Sequence, residues 1–478
     1  MTAFDRQVPA TASDSDACKT TSVRNRLRRF RDDESGVMVF LGMFIFLIIL
    51  MTGGIAVDYM RNEQNRTMLQ HTLDRAVLAA ADLDQSLDPT QVVNSYFEKP
   101  GMGDFLAEVN VDEGLNFRTV SAKAQATQPA EYLQFVGRDT LVASASATAE
   151  ERIAKVEISM VLDISGSMGS NNKMGNLRDA ARTFVDTVIT PETQDLISVS
   201  VVPYTSHVNA GPMIFDELNT AQKHNFSHCV EFEDHEFSTT VFNTNRTYEQ
   251  GQHVEFSSRS SGDITNPGCP QRSYERISPF SQNASALKSQ IGNLRARANT
   301  SIFLGMKWAV SLLDPSFRPI VDSLVTKGDI DATFSGRPAE YDDPETLKTV
   351  ILMTDGVNVT TRRVADWAYS VESHYVHWDR FPVYYYLNRY VNHWQHNQFY
   401  YTKYTSSEGD RLLDDICDAA KDRGIVIWSV GFEVNDHGAD VMRDCASSPA
   451  HFFRVEGVEI TEAFEAIARQ INQLRLTQ

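Results

Sequence analysis

Hydrophobic and polar positions fall into three successive patterns along the chain. Val37 to Val57, VMVFLGMFIFLIILMTGGIAV, carries no charged residue, and a run of about 20 apolar residues has the length of a membrane-spanning helix. From Asp58 to Asp84 the apolar residues Met60, Leu69, Leu73, Val77 and Leu78 recur at helical spacing without proline or glycine, which predicts that the span continues as one long helix. Pro89 to Glu151 changes texture. A short helix is predicted over Thr90 to Tyr96, and small and β-branched residues then alternate in FRTVSAKAQATQPAEYLQFVG and TLVASASATAEE, the period-two signature of antiparallel strands.

The third pattern fills the remainder. Strands are predicted at 156–162, 195–202, 348–354 and 425–430, and helices at 174–188, 284–294, 302–313, 409–422 and 458–474. Strands alternating with helices imply an α/β, doubly wound, mainly parallel sheet. The expected organisation is a basic, disordered tail (1–36), a transmembrane helix (37–57), a helical extension (58–84), a small β-rich neck (85–154) and an α/β domain (155–478). Long insertions at 203–282 and 360–408 interrupt that domain, and such loops are usually functional or disordered.

Charge and composition narrow the function. Five arginines between Arg24 and Arg31 crowd ahead of the apolar run, placing the amino terminus in the cytoplasm. The 478 residues carry a formal charge of −19 and are 42% apolar. The chain therefore suits globular cores, and its charge argues against a nucleic-acid partner.

The candidate chemistry lies where the first strand of the third region ends. VEISMVLDISGS places Asp163, Ser165 and Ser167 in the loop after a buried strand, and open α/β sheets bind ligands at the carboxyl ends of their strands. One carboxylate and two hydroxyls form a site for a hard cation, magnesium above all, since that ion takes oxygen ligands and needs only one or two carboxylates. Thr300, before a helical run, and Asp355, after the apolar strand KTVILMT, offer a further hydroxyl and a second carboxylate. There is no G-x-S-x-G elbow and no phosphate-binding Lys-Ser/Thr spacing in DISGSMGSNNKMG, so no enzymatic activity is expected.

Asp163, Ser165, Ser167, Thr300 and Asp355, in this order, resemble the metal-ion-dependent adhesion site of the von Willebrand factor type A family, which combines Asp-x-Ser-x-Ser with a threonine and an aspartate. The resemblance implies Mg2+, with Mn2+ or Ca2+ as substitutes, and a protein partner whose carboxylate completes the coordination. The family often has glycines before the threonine, where this chain has Ala298 and Asn299. The segment from Glu34 to Ala81 is similar to the amino-terminal part of tight-adherence (Flp-type) pilus assembly proteins of the TadG kind. Prepilin-like relatives carry glutamate five residues after the cleaved glycine, whereas Leu41 stands there after Gly36, so processing is not expected. This second resemblance implies a single-pass protein of the bacterial inner membrane with its carboxyl-terminal domain in the periplasm. Pilus assembly components or pilins are the implied partners. A surface adhesin or matrix receptor using the same metal site is the alternative.

Cys229 and Cys269 share the first insertion, and Cys417 and Cys445 flank the strand IVIWSVGF, while Cys18 precedes the span. Cys229 with Cys269 and Cys417 with Cys445 is the expected pairing, fitting an oxidising compartment, and free buried thiols are the alternative. The second insertion is rich in aromatic residues, and Trp367, Tyr375, Trp378, Tyr385 and Trp394 are candidates for a partner-binding surface. The alternative is that these rings pack into a core of their own.

Overall fold

The computed structural model describes residues 31, 35–82, 85, 87–113, 117–152, 155–258 and 263–477. The expected tail, with Cys18, lies outside them apart from residues 31, 35 and 36. The chain divides into two compact units, the first ending at Glu151 and the second beginning at Arg152.

The first unit is built on α1, one helix from Ser35 to Ala81. Its apolar amino-terminal part is exposed, and the helix is long and apolar enough to cross a membrane. Farther along, Leu69, Leu73, Ala76, Val77 and Ala80 form one buried stripe. The helix α2, Pro89–Glu98, starts with Asp88 accepting from the Gln91 amide and with proline in the first turn, where its missing N–H costs nothing. Three strands follow, β1 (Leu106–Glu113), β2 (Phe117–Pro129) and β3 (Thr140–Arg152), in the order β1-β2-β3. Val120, Ala122, Ala124 and Ala126 alternate inward along β2 to meet Val93 and Phe97 of α2 and the stripe on α1. The alanines keep this interface thin.

The second unit holds a six-stranded sheet. Its strands are β4 (Lys155–Asp163), β5 (Ile197–Tyr204), β6 (Ser278–Ser281), β7 (Thr346–Thr354), β8 (Val426–Phe432) and β9 (Phe452–Val455), in the order β9-β8-β7-β4-β5-β6. The first five are mutually parallel and β6 is antiparallel to β5. Strands covered on both faces need no polar alternation, and β4, β5 and β7 are buried almost throughout. Ile158, Met160 and Leu162 meet α3 (Lys173–Val188), α4 (Ala284–Asn293) and the carboxyl-terminal α5 (Glu459–Thr477) on one face. Val161, Val202 and Tyr204 meet Ile302–Ser311 and Ser406–Asp422, both helical, on the other.

Two expectations about the insertions need correction. The first was drawn over 203–282, but β5 continues to Tyr204 and Ser278–Ser281 is an edge strand of the main sheet. A four-residue strand is too short for its periodicity to register in the sequence. The two insertions also pack on each other. Arg363 of the second pairs with Glu231 of the first at 2.6 Å, Gln252 exchanges two hydrogen bonds with Val364, and His253 Nδ1 lies 2.6 Å from the Tyr369 hydroxyl. Together they enclose a core containing Val254, Tyr375, Trp378 and Leu387. Tyr375 and Trp378 are therefore core residues and not a contact surface: Tyr375 packs on His224 and Tyr369, and Trp378 packs on Tyr386 and donates to the Ala368 carbonyl. Both expected disulfides are present, with Cα separations of 6.1 Å for Cys229–Cys269 and 5.1 Å for Cys417–Cys445.

A buried ion pair joins the two central strands. Lys348 of β7 sits opposite Glu157 of β4, with Nζ 2.6 Å from Oε2. The Ala339 amide donates to the other Glu157 oxygen, and Lys348 also donates to the Leu313 carbonyl. Lys348→Met strands the Glu157 carboxylate in the core, and the expected loss of stability is about 3–5 kcal/mol. Adding Glu157→Gln should restore most of it. Urea unfolding of the detergent-solubilised chain tests this, and a single variant within about 1 kcal/mol of wild type would contradict it.

Candidate metal centre

Parallel pairing of β4 and β7 aligns Leu162 with Met353, so the next residues, Asp163 and Thr354, leave the sheet side by side. The Thr354 hydroxyl donates to Asp163 Oδ2 at 2.7 Å. The Ser165 amide donates to Asp163 Oδ1 at 2.7 Å, which folds the loop back over the carboxylate. Ser165 Oγ lies 3.0 Å from Ser167 Oγ, and Ser167 Oγ donates to Asp355 Oδ1 at 2.6 Å. Asp163, Ser165, Ser167 and Asp355 thus form a continuous run of oxygen contacts. Asp163 and Ser165 are fully buried and Ser167 is exposed, so the run reaches the surface at Ser167 and returns to the buried Asp355.

The loop carrying Thr300 lies against this run. The Arg297 amide donates to the Ile164 carbonyl, and the Gly166 amide donates to the Ala298 carbonyl at 3.0 Å. A Cβ on Gly166 would stand 2.9 Å from that carbonyl oxygen, so the approach requires glycine. Ala298 has φ +55°, a conformation glycine adopts freely and alanine only at a cost. This is the position where the sequence departs from the glycines of the resembled family. The Thr300 carbonyl accepts from the Val359 amide and its side chain is buried. Among the described residues, no hydrogen bond links its hydroxyl to the other four. Thr300 is adjacent through its backbone, and it is the least engaged of the five.

Sequence reasoning missed Lys173 and Glu433. Lys173, in the first turn of α3, places Nζ 3.1 Å from Asp355 Oδ2 and 3.5 Å from Glu433 Oε2, and its side chain is only 9% exposed. Glu433 follows β8, the other neighbour of β7, so three adjacent parallel strands contribute an acidic group at one end. A signal for Lys173 was present, since a cation in the first turn of a helix opposes the helix dipole and has to be explained by a nearby anion.

The electrostatics follow from crowding. Burial, and next the charge of Asp355, push Asp163 up to about 6, against the hydrogen bonds from Thr354 and Ser165. The same surroundings push the buried Tyr204 phenol well above its ordinary value, burial first and then the Asp163 charge. Among the described residues there is no cluster of three or more His, Cys, Asp or Glu suited to a metal. The donors here are two carboxylates with hydroxyls, a set fitted to a hard cation and unsuited to zinc.

Next to the Thr300 loop lies a cavity of about 90 Å³ bordered by Ala298, Asn299, His207, Glu255, Arg362 and Arg363. It opens where the two insertions leave the sheet. Of the aromatic candidates, Trp367 is 57% and Trp394 is 72% exposed, Tyr385 is half-buried, and Tyr375 and Trp378 are internal.

Comparison with known proteins adds the following. Residues 36–83 match the family model described as putative Flp pilus-assembly TadE/G-like. The amino-terminal segment is TadE/G-like. Among solved structures, the chain is similar to the vWF domain of the type V pili tip protein Mfa5 from Porphyromonas gingivalis, at 14% identity over 67% of this chain and 96% of that one, with TM-score 0.35. It is also similar to the pilus adhesin SpaC from Lactobacillus rhamnosus GG in its open conformation, at 12% identity, 77% and 34% coverage and TM-score 0.33. The PilB minor pilin from Streptococcus sanguinis follows at 13% identity, 77% and 78% coverage and TM-score 0.31. The chain spans about a third of SpaC. No curated protein matches. The TadE/G-like segment coincides with most of α1.

With divalent cations chelated, Asp163 is expected to contribute a loss of stability as pH rises from about 4 to about 6, a contribution read as the difference between wild type and Asp163→Asn. The folded state holds the Asp163 proton more tightly than the unfolded chain does, so this contribution is complete below the unfolded pKa of 3.8 and gone once pH passes the folded value of about 6. A shift of that size corresponds to about 3 kcal/mol. Asp163→Asn should remove this contribution, so that stability falls less, or rises more, between these pH values than in the wild type. Thermal unfolding from acid to neutral pH decides, and identical slopes for wild type and variant would refute the assignment.

Proposed function

We infer that the chain is a membrane-anchored, non-enzymatic protein-binding component of Flp pilus assembly. Its second unit would be a von Willebrand factor A-type, doubly wound domain, with Asp163, Ser165, Ser167, Thr300 and Asp355 as a metal-ion-dependent adhesion site for Mg2+, or Mn2+ or Ca2+. The observation that carries this reading is the run of contacts from buried Asp163 through Ser165 and Ser167 to Asp355 at the carboxyl ends of adjacent parallel strands. The TadE/G-like segment supports the pilus setting, and the apolar helix supports an anchor. The inner membrane, with the second unit in the periplasm, is the compartment that suits this setting and the two disulfides.

A bound cation supplies uncompensated positive charge at the mouth of the site, where a partner carboxylate can ligate it. The protein's own residues prepare the place. Asp163 brings a carboxylate held by two hydrogen bonds, the exposed Ser167 marks the open side, and Lys173 balances Asp355. Lys173 is then a tethered competitor for the metal. Trp367, Trp394 and Tyr385 remain candidates for partner contact beside the site.

Isothermal titration of Mg2+ and Mn2+ into the detergent-solubilised chain tests the metal. Saturable binding is expected, with its loss in Asp163→Ala and Asp355→Ala. Lys173→Met should tighten binding about tenfold or more, since it removes a positive charge from beside the ion. A wild-type chain that is folded by circular dichroism and gives no saturable heat would sink the metal-dependent reading.

A further inference from the structure

The connection between β2 and β3 is tied to α1 where the charge-free run ends. Asp58, the first charged residue after that run, is 2% exposed and accepts hydrogen bonds from the amides of Glu131, Tyr132 and Leu133 at 3.3, 2.8 and 2.9 Å. One turn earlier, the Tyr132 ring lies so close to Gly54 that a Cβ there would stand 2.3 Å from it. Ile55 packs on Ala130, Leu133 and Leu141. One turn later, Arg61 pairs with Glu131 at 2.8 Å, and Asn65 donates to Gln128. These contacts fix the level of the connection along the helix.

Its tip is apolar and uncovered. Phe135 is 70% exposed, Val136 56% and Tyr132 40%. Polar groups flank the tip, with Glu131 on one side and Arg138 and Asp139 on the other. At 1.5 Å per residue the run from Val37 to Val57 spans about 31 Å, the thickness of a bilayer's hydrocarbon core. Residues 54–58 therefore lie at the boundary between hydrocarbon and headgroups, and the tip is clasped at that height. Aromatic side chains favour this boundary.

We propose that Tyr132, Phe135 and Val136 form a second membrane contact, inserted into the lipid interface beside the point where α1 leaves the bilayer. Two contacts held together by Asp58 fix the rotation of the helix about its axis and its tilt, which a lone span leaves free. This rests on the reading of α1 as a membrane anchor.

The test uses the full chain with Cys18→Ser and Val136→Cys, labelled with bimane and reconstituted in phosphatidylcholine vesicles with or without brominated acyl chains. A second chain carries the label at Asp104→Cys, an exposed site in the same unit. Carbonate extraction reports on the anchor independently. The expected result is retention in the vesicles with the 136 label quenched about twofold or more, as befits a group about 5–10 Å below the headgroups, and the 104 label unaffected. Retention with equal quenching at both sites overturns the interfacial contact alone. Extraction of the chain from the vesicles overturns the anchor and the contact with it.

Discussion

Two carboxylates at one end of a sheet that is closed on both faces set the terms for the second unit. Asp163 and Asp355 leave adjacent parallel strands, and neither can turn to solvent without breaking the packing behind it. Four polar groups answer that constraint. Thr354 and the Ser165 amide take the two oxygens of Asp163, and Ser167 and Lys173 take those of Asp355. A buried charge needs such partners, and removing one is costly. Burial first, and then the charge of Asp355, still leave Asp163 raised to about 6.

The same constraint explains the loops around the site. Gly166 must pass close to the Ala298 carbonyl, and Ala298 accepts a left-handed backbone so that its neighbours reach Ile164 and Gly166. Asn358 ties this arrangement to the helix Ser406–Asp422 by accepting from the Ile302 amide and donating to Asp410. The insertions then pack on each other and build a rim, with Trp367 and Trp394 left at the surface.

In the first unit the organising element is a single helix that changes environment along its length. It is apolar and exposed over its first part, and its last third buries a stripe of leucines and alanines against α2 and β2. Between the two lies Asp58, whose carboxylate caps a turn of the three-stranded sheet more than 70 residues away in sequence. An aspartate at the end of an apolar run would ordinarily face water. Here the backbone amides it receives make burial tolerable.

Local signals in the chain were enough for the long apolar helix, the buried strands and most of the flanking helices, because an unbroken apolar run or a fixed spacing is set by neighbouring residues. The Asp-x-Ser-x-Ser loop was visible for the same reason, as were the cysteine pairs. Short elements such as Ser278–Ser281 and Phe452–Val455 carry too few residues to register a period. What only the tertiary structure decided is which groups share a point in space. Ser167 and Asp355 are 188 positions apart, and their contact follows from the parallel register of β4 and β7. Lys173 and Glu433 enter the site by packing of α3 and β8. The aromatic second insertion showed how many rings it had, but only the packing within it and against the first insertion settled that Tyr375 and Trp378 turn inward and Trp394 outward, since burial depends on what covers a side chain.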